Sequence, residues 1–202
     1  MSENLPVKNQ RDQQAEDTRE ALIKTGHGLF GQQGYAATSA ASIVARANVT
    51  RGALYHHFPK GKKDLFEAVV RRELTHTVSA MQDALVQSPA GWDSVRATLT
   101  AYFEAAGTPV HKHIVLQDAP SVLGWEYWRE IEHENSVAFI RAAMQGLMAT
   151  GVIKTLPLDP LSSLVFAASC EAALTISVAD DPTAATQDAL SALELFFSGL
   201  RC

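Results

Sequence analysis

Apolar residues recur at three- and four-residue spacing along most of the chain, which is the period of an α-helix and not of a β-strand. Pro and Gly residues interrupt this pattern and divide it into separate segments. The pattern shows no strand of any length and no internal repeat. It predicts an all-α fold of about nine helices, with long segments at 64–88, 92–106, 125–150, 158–179 and 183–199.

The stretch 38–58 predicts two short helices joined by a tight turn. The first helix has an apolar stripe, formed by Ala40, Ile43, Val44 and Ala47. Asn48 stands at the bend, where Asn tolerates a left-handed backbone better than most residues do. Thr50 is a suitable N-cap for the second helix. This arrangement is typical of a helix-turn-helix.

The second of these helices is predicted to be buried on one side only. Leu54 and Phe58 are four residues apart and can both face inward. The other side then presents Arg51, Gly52, Tyr55 and His56. A short helix that carries these side chains outward suits the DNA major groove.

Charge is distributed unevenly along the chain. Residues 1–72 contain eleven Lys and Arg against seven Asp and Glu, whereas residues 73–202 contain six against fifteen. A basic first third is the electrostatic pattern expected of a segment that contacts phosphate. We expect the acidic remainder to stay away from DNA.

These patterns divide the chain into three parts. Residues 1–16 are polar and aperiodic, which predicts a disordered arm. Residues 17–63 form the predicted helix-turn-helix domain, in which Asp17 and Glu20 would cap the first helix. Residues 64–202 form a separate predicted helical domain, the body. We expect the two C-terminal helices, at about 158–200, to form a homodimer, because two wide apolar faces are hard to bury in one small domain.

The compartment is predicted to be the cytoplasm. The two cysteines, Cys170 and Cys202, are far apart and do not indicate a disulfide framework. The first twenty residues contain no apolar segment of a secretory signal. No uninterrupted apolar run reaches the roughly 18 residues of a transmembrane helix, so we expect no membrane association.

The N-terminal stretch resembles the TetR family of bacterial transcriptional repressors. The resemblance covers roughly residues 17–70, and the residues that carry it are Gly34-Tyr35, Thr38-Ser39, Ile43-Val44 with Ala47, Val49 to Pro59, and Lys62 with Leu65-Phe66. It implies a homodimer with a three-helix DNA-binding head and a helical body that binds a ligand. The rest of the chain is similar to the family only in size and helix plan.

Position by position, the resemblance implies which residues contact DNA. They are Ser39, Thr50, Arg51, Gly52, Tyr55, His56, Lys60 and Lys62. Arg51 could reach guanine edges, while Thr50 and Tyr55 more often bind phosphate in this fold. Asn48 stands where most members have Gly, and Gly61 lengthens the turn by one residue. The insertion leaves open which of Lys60, Lys62 and Lys63 binds phosphate.

A ligand pocket is predicted where aromatic residues concentrate in the body, although aromatic stripes more often form core. The candidate lining residues are Tyr102, Phe103, Leu116, Trp125, Trp128 and Glu171. Glu171 interrupts an apolar helix, so it could anchor a ligand, lie at the dimer interface or simply face solvent. The effector itself is not indicated beyond an apolar molecule with one or two polar groups.

Other chemistry is not supported by the sequence. His111, His113, Asp118 and His133 lack the spacing of a metal site, and no cofactor motif is present. Without a nucleophile elbow or an acid–base pair, an enzyme is not expected. The predicted function is a ligand-responsive repressor on a palindromic operator. The alternative is a small-molecule-binding protein of the same fold that does not bind DNA.

Overall fold

The structure, a computed structural model, describes residues 10–201 and contains nine helices over that range. The all-α prediction is confirmed. The helices are α1 Gln10–Ala37, α2 Ala40–Arg46, α3 Arg51–His57, α4 Lys62–Gln87, α5 Trp92–Ala106, α6 Pro109–Leu123, α7 Trp125–Ala149, α8 Leu158–Ser177 and α9 Pro182–Ser198. Two of them contain π-helical turns, Lys112–Asp118 in α6 and His133–Val137 in α7.

Helices α1, α2 and α3 form the head, together with the first turns of α4. The ring of Phe30 packs edge-on against Phe66 of α4, with 5.0 Å between centroids, and stacks on Tyr35. Leu54 and Phe58 are buried in the same cluster, as their spacing predicts. Because α4 supplies Leu65, Phe66, Val69 and Val70 to this core, the head does not end at residue 63.

Both helices of the helix-turn-helix are capped at their N-termini by local hydrogen bonds. The Ser39 side chain accepts a hydrogen bond from the Ser42 backbone N–H, and the Thr50 side chain accepts one from the Ala53 N–H. Asn48 is the one non-glycine residue of the described chain with positive φ, at 55°. The predicted turn and the Thr50 cap are therefore confirmed.

The body is built from α5 to α9 and the rest of α4. Its core gathers Phe103, Ile140, Phe166, Ile176 and Phe197 from four of these helices. A second group of body residues packs into the head core instead, namely Ile114, Val115, Ala119, Leu123, Trp128 and Ile131. The head and the body thus share one hydrophobic cluster along α1, α4, α6 and α7.

The predicted boundary between the N-terminal arm and the first helix is wrong. Residues 10–16, expected in a disordered arm, already belong to α1, and residues 1–9 lie outside the described residues. Asp17 consequently caps nothing, and Glu20 pairs with Arg72 of α4 instead. Residues 10–17 are exposed, and within these turns Gln13 donates a hydrogen bond to the Asp17 carboxylate.

Among the described helices, α8 is long and apolar enough to cross a membrane by length and composition alone. Core helices of water-soluble proteins pass the same test. One side of α8 packs against α5, α7 and α9. Glu171 interrupts its apolar run and Asp159 lies in its first turn, so this finding does not indicate a membrane span.

Candidate nucleic-acid interface and effector cavity

The recognition helix α3 is exposed on one side and buried on the other. Arg51, Gly52, Tyr55 and His56 are exposed, whereas Leu54 is fully buried. The Arg51 guanidinium lies 5.7 Å from the centre of the Tyr55 ring. His57 is half-buried against Phe58, and burial lowers the pKa of its imidazole. The structure therefore leaves the four predicted side chains free to approach DNA.

The three lysines after Pro59 have different surroundings. The Lys62 ammonium donates hydrogen bonds to the carbonyls of Tyr35, at 2.9 Å, and Thr38, at 2.8 Å. It also lies 3.8 Å from the centre of the Tyr35 ring. Burial lowers its pKa. The Lys62 side chain thus faces the protein and binds carbonyls at the C-terminal end of α1, while Lys60 and Lys63 are exposed.

The inserted residue Gly61 supports the recognition helix. Its φ of 64° lies in the left-handed region, and a Cβ here would come within 2.9 Å of the Tyr55 ring. The ring thus packs directly on the glycine backbone. Glycine meets both requirements, and the longer turn becomes a platform for Tyr55.

Helix α6 docks on the C-terminal half of α1, which joins the body to the head. The Tyr35 N–H donates a hydrogen bond of 2.6 Å to the Asp118 carboxylate. The His113 Nδ1 lies 2.8 Å from the Gly31 carbonyl oxygen. A Cβ on Gly31 would lie 2.9 Å from the Val110 methyl groups, so the two helices are in close contact here.

A buried carboxylate, Glu73, lies between histidines at the same junction. Its Oε2 is 2.6 Å from His27 Nε2 of α1, and its Oε1 is 3.3 Å from His111 Nδ1 of α6. Burial alone would raise the pKa of Glu73, but the hydrogen bonds from His111 and His27 lower it to about 2. Glu73 therefore bridges α4 to the head and to α6 as a carboxylate.

The body contains a partly open cavity of about 650 Å³ between α4, α5, α7, α8 and α9. Its walls are mostly aliphatic and aromatic side chains. They include Met81, Leu85, Val95, Leu99, Tyr102, Phe139, Ile140, Met144, Leu147, Val165, Phe166 and Phe197. This volume falls in the range of small-molecule pockets in proteins.

Of the six residues predicted to line a pocket, only Tyr102 lines this cavity. Phe103 is buried in the body core. Leu116 and Trp128 pack in the cluster shared with the head, and the Trp125 ring lies tilted against Trp128 while remaining 62% exposed. Glu171 is exposed on α8. The aromatic residues of α7 thus join body to head, because their side of α7 faces α4 and α6.

Polar groups meet near Tyr102. Its hydroxyl lies 3.8 Å from the Cys170 sulfur. Nearby, the lining residue Ser136 donates a hydrogen bond to the buried Glu132 carboxyl, at 2.9 Å. Burial raises the pKa of Glu132, Cys170 and Tyr102. Within residues 10–201, no Lys or Arg lines the cavity.

Helices α8 and α9 leave an apolar face exposed. Along α8 and at the residue that follows it, a line of exposed positions recurs at alternating three- and four-residue spacing: Leu164, Ala167, Glu171, Leu174 and Val178. On α9, Leu195 is 76% and Phe196 is 50% exposed. We refer to these seven residues as the α8–α9 face. Glu171 lies in the middle of it, outside the cavity.

The four residues considered for a metal site do not come together. His111 contacts Glu73, His113 contacts the Gly31 carbonyl and Asp118 binds the Tyr35 N–H. His133 is exposed on α7. The cavity-lining residues of α4 and α7 and the cluster around Glu73 were not found from sequence. The helical spacing of Glu73 and His76 was the available signal for that cluster.

A rigid helix-turn-helix on a hollow helical body defines a DNA-binding transcriptional regulator. Residues 22–69 match the family described as bacterial regulatory proteins, tetR family, and residues 92–200 match the tetracyclin repressor-like C-terminal domain. The chain belongs to the TetR family. Regulators of this family bind DNA and act as dimers, and they are not enzymes.

Individual relatives agree with this assignment. The chain is 33% identical to a TetR-family transcriptional regulator from Pectobacterium atrosepticum, whose crystal structure superposes with a TM-score of 0.81, covering 94% of this chain and 96% of that one. It is 27% identical to the transposon Tn10 TetC protein of Escherichia coli, over 78% of this chain and 79% of that protein. The head alone is 46% identical over 57 residues to the regulator AcrR of Shigella flexneri, which is 28% of this chain and 26% of AcrR.

Proposed function

We propose that this protein is a cytoplasmic repressor that binds a palindromic operator as a dimer and leaves it when a small apolar effector enters the body. The observation that carries the DNA-binding part is the exposed side of α3, where Arg51, Tyr55 and His56 project from a buried, capped helix. A helix held in this way loses little conformational entropy on binding.

Each exposed residue has a proposed role. Arg51 reads guanine edges, since a guanidinium can donate two hydrogen bonds to O6 and N7. Gly52 allows α3 to approach the groove closely, and His56 extends the contact toward neighbouring bases. Thr50 and Tyr55 bind phosphate and fix the register of the helix.

Phosphate contacts at the edges of the groove involve other residues. Ser39, at the start of α2, contributes one of them. Lys60 and Lys63 are exposed and supply the charge after α3. Lys62 has a structural role instead, because its ammonium is hydrogen-bonded within the protein.

Operator binding is tested by fluorescence anisotropy with the DNA upstream of the protein's own gene and a scrambled duplex. We expect Arg51→Ala to weaken binding to the upstream DNA by roughly 10- to 100-fold, corresponding to about 1–3 kcal/mol for a bidentate base contact. Arg96→Ala, an exposed arginine of the body, is the control and should bind as the wild type does. Equal affinity of the wild type for both duplexes would favour the alternative, a ligand-binding protein without DNA binding.

The effector is proposed to be neutral and mainly apolar, with a hydroxyl or similar group. The cavity walls are largely hydrocarbon, and Tyr102 and Ser136 offer hydrogen bonds. An anionic effector would lack a compensating cation there, and the Glu132 carboxyl is nearby. Burial of an unpaired charge is costly, so charge should decide which molecules enter.

This proposal predicts selective uptake of a neutral probe. N-phenyl-1-naphthylamine should bind with increased fluorescence, whereas its sulfonated analogue should bind at least about tenfold more weakly, a difference of about 1.4 kcal/mol. Ala143→Phe places a ring in the cavity and should abolish the signal. Ala149→Phe, an exposed position of the same helix, should not. Equal binding of both probes, or an unchanged signal in Ala143→Phe, contradicts the assigned cavity.

A further inference from the structure

Three potential metal ligands meet between α1 of the head and α4, the linker helix that runs from the head into the body. They lie outside both the recognition helix and the cavity. Glu73 and His76 are three residues apart and lie on one side of α4, facing His27 of α1. The candidate ligand atoms of these three side chains all lie within 4.8 Å of one another. The His27 and His76 rings meet edge to face, with 6.3 Å between their centroids.

The donor set favours a particular class of ion. Two imidazoles and one carboxylate suit zinc and its late first-row neighbours, whereas calcium and magnesium prefer oxygen ligands. Three protein ligands would leave a fourth position for water or another group. Metal–ligand distances in such a site are about 2.0–2.2 Å. Ligand atoms that already lie within 4.8 Å of one another need only small movements to enclose an ion.

The cluster also has the support that metal sites need. The second oxygen of the Glu73 carboxylate faces the buried His111 ring, which in turn lies 3.3 Å from the Thr77 hydroxyl. This contact orients the carboxylate from the side away from His27, as outer-shell groups orient ligands at metal centres. On the solvent side, His27 is 27% exposed and His76 is exposed, which provides a path of entry.

A purely structural role accounts for only part of this arrangement. The hydrogen bond from His27 to Glu73 would satisfy the carboxylate without His76. No hydrogen bond within residues 10–201 involves the His76 ring, although it lies next to both other groups. An imidazole in this position, with its nitrogens free, is what a third ligand requires.

We propose that His27, Glu73 and His76 form a binding site for a divalent transition-metal ion of the zinc class, which ties α1 to α4. Such an ion would fix the head against the linker helix, at the junction where α6 also docks. The metal site does not depend on the proposed operator or effector, because it is built from different residues.

Zn²⁺ titration of the full chain without a polyhistidine tag, followed by calorimetry in a non-chelating buffer, tests the proposal. We expect one equivalent of Zn²⁺ per chain, with at least tenfold weaker binding in His76→Gln. His133→Gln removes an exposed histidine of α7 and should bind as the wild type does. Because His76 is exposed, its variant should keep the wild-type circular dichroism spectrum and melting temperature in the absence of metal.

Co²⁺ provides a second measurement, since its visible absorption reports a low-coordinate site with nitrogen ligands. The wild type should develop this absorption at one equivalent, and His27→Gln should lose it. Absence of stoichiometric Zn²⁺ binding by the wild type would overturn the proposal. So would binding by His76→Gln that equals the wild type. Both measurements are made without DNA, so their failure is distinguishable from failure of operator binding.

Discussion

At the scale of single residues, position in the fold separates side chains that look equivalent in the sequence. Lys62 and Lys63 are adjacent, yet the Lys62 ammonium is hydrogen-bonded to Tyr35 and Thr38 while the Lys63 side chain is exposed. The helical direction of α4 causes the difference, because consecutive residues point about 100° apart around a helix. One lysine therefore faces α1 and its neighbour faces solvent.

This difference predicts that the same substitution affects stability at Lys62 and DNA binding at Lys63. Lys62→Met leaves two partly buried carbonyls without their donor and should lower the free energy of unfolding by about 1–3 kcal/mol. Lys63→Met should leave that free energy within about 0.5 kcal/mol of the wild type. In operator binding, Lys63→Met should reduce the slope of log affinity against log salt by about 0.9, as the loss of one phosphate contact does.

Urea denaturation and salt-dependent anisotropy measure these two quantities on the same pair of variants. The assignment is wrong if Lys62→Met keeps wild-type stability and loses the salt slope.

At the scale of elements, the packing of α6 on α1 determines how the head is attached. The closest approach is at Gly31, whose missing side chain leaves room for Val110. Gly28 lies one turn earlier on α1, and nothing comes within 4 Å of a Cβ built there. Both glycines are helical, so the sequence gives no reason to treat them differently.

The two glycines form a matched pair of alanine variants. Gly28→Ala should raise the free energy of unfolding by about 0.5–1 kcal/mol, because alanine restricts the unfolded chain and favours the helix. Gly31→Ala should lower it by about 1–3 kcal/mol, since the short Val110 side chain cannot move aside without disturbing the packing. Thermal or urea denaturation of the two variants beside the wild type decides this. Equal stability of both variants would show that α6 does not press on α1 at Gly31.

At the scale of the whole molecule, the α8–α9 face has no partner among residues 10–201 of its own chain. Its exposed leucines, valine and phenylalanine would be costly to leave in water, at roughly 25 cal/mol per Å² of apolar surface. A two-fold axis would pair this face with itself, forming a four-helix packing of α8 and α9 from both copies. Glu171, in the middle of the face, is then an interface residue under this proposal.

The dimer proposal predicts that two variants of exposed aromatic residues differ in oligomeric state. Phe196→Arg should weaken dimerisation at least tenfold and shift the chain toward monomer at micromolar concentration, because a buried charge replaces an aromatic anchor. Trp125→Arg, an exposed aromatic residue of α7, should remain dimeric. Sedimentation velocity of both variants measures the effect. Operator affinity should also fall when dimerisation is lost, since two heads must span half-sites about 34–36 Å apart. A Phe196→Arg protein that sediments as the wild type does would exclude this face.

The sequence alone determines the helices and the recognition helix, because both depend on local patterns. The period of apolar residues marks α5, α7 and α9 nearly to the residue, and Thr50, Asn48 and the Leu54–Phe58 pair define the helix-turn-helix. These features rest on caps, turns and helical spacing, which are short-range properties. Charge and motif together indicate DNA as the partner.

Only the tertiary structure decides which side of each helix faces which neighbour. It assigns Trp128 and Leu116 to the cluster shared with the head and gives the cavity a lining in which only Tyr102 was predicted. It turns Lys62 inward. It also brings His27 next to Glu73 and His76, which lie at least 46 residues further along the chain. Contacts between distant helices depend on how several apolar faces are buried at once, and no single segment carries that information.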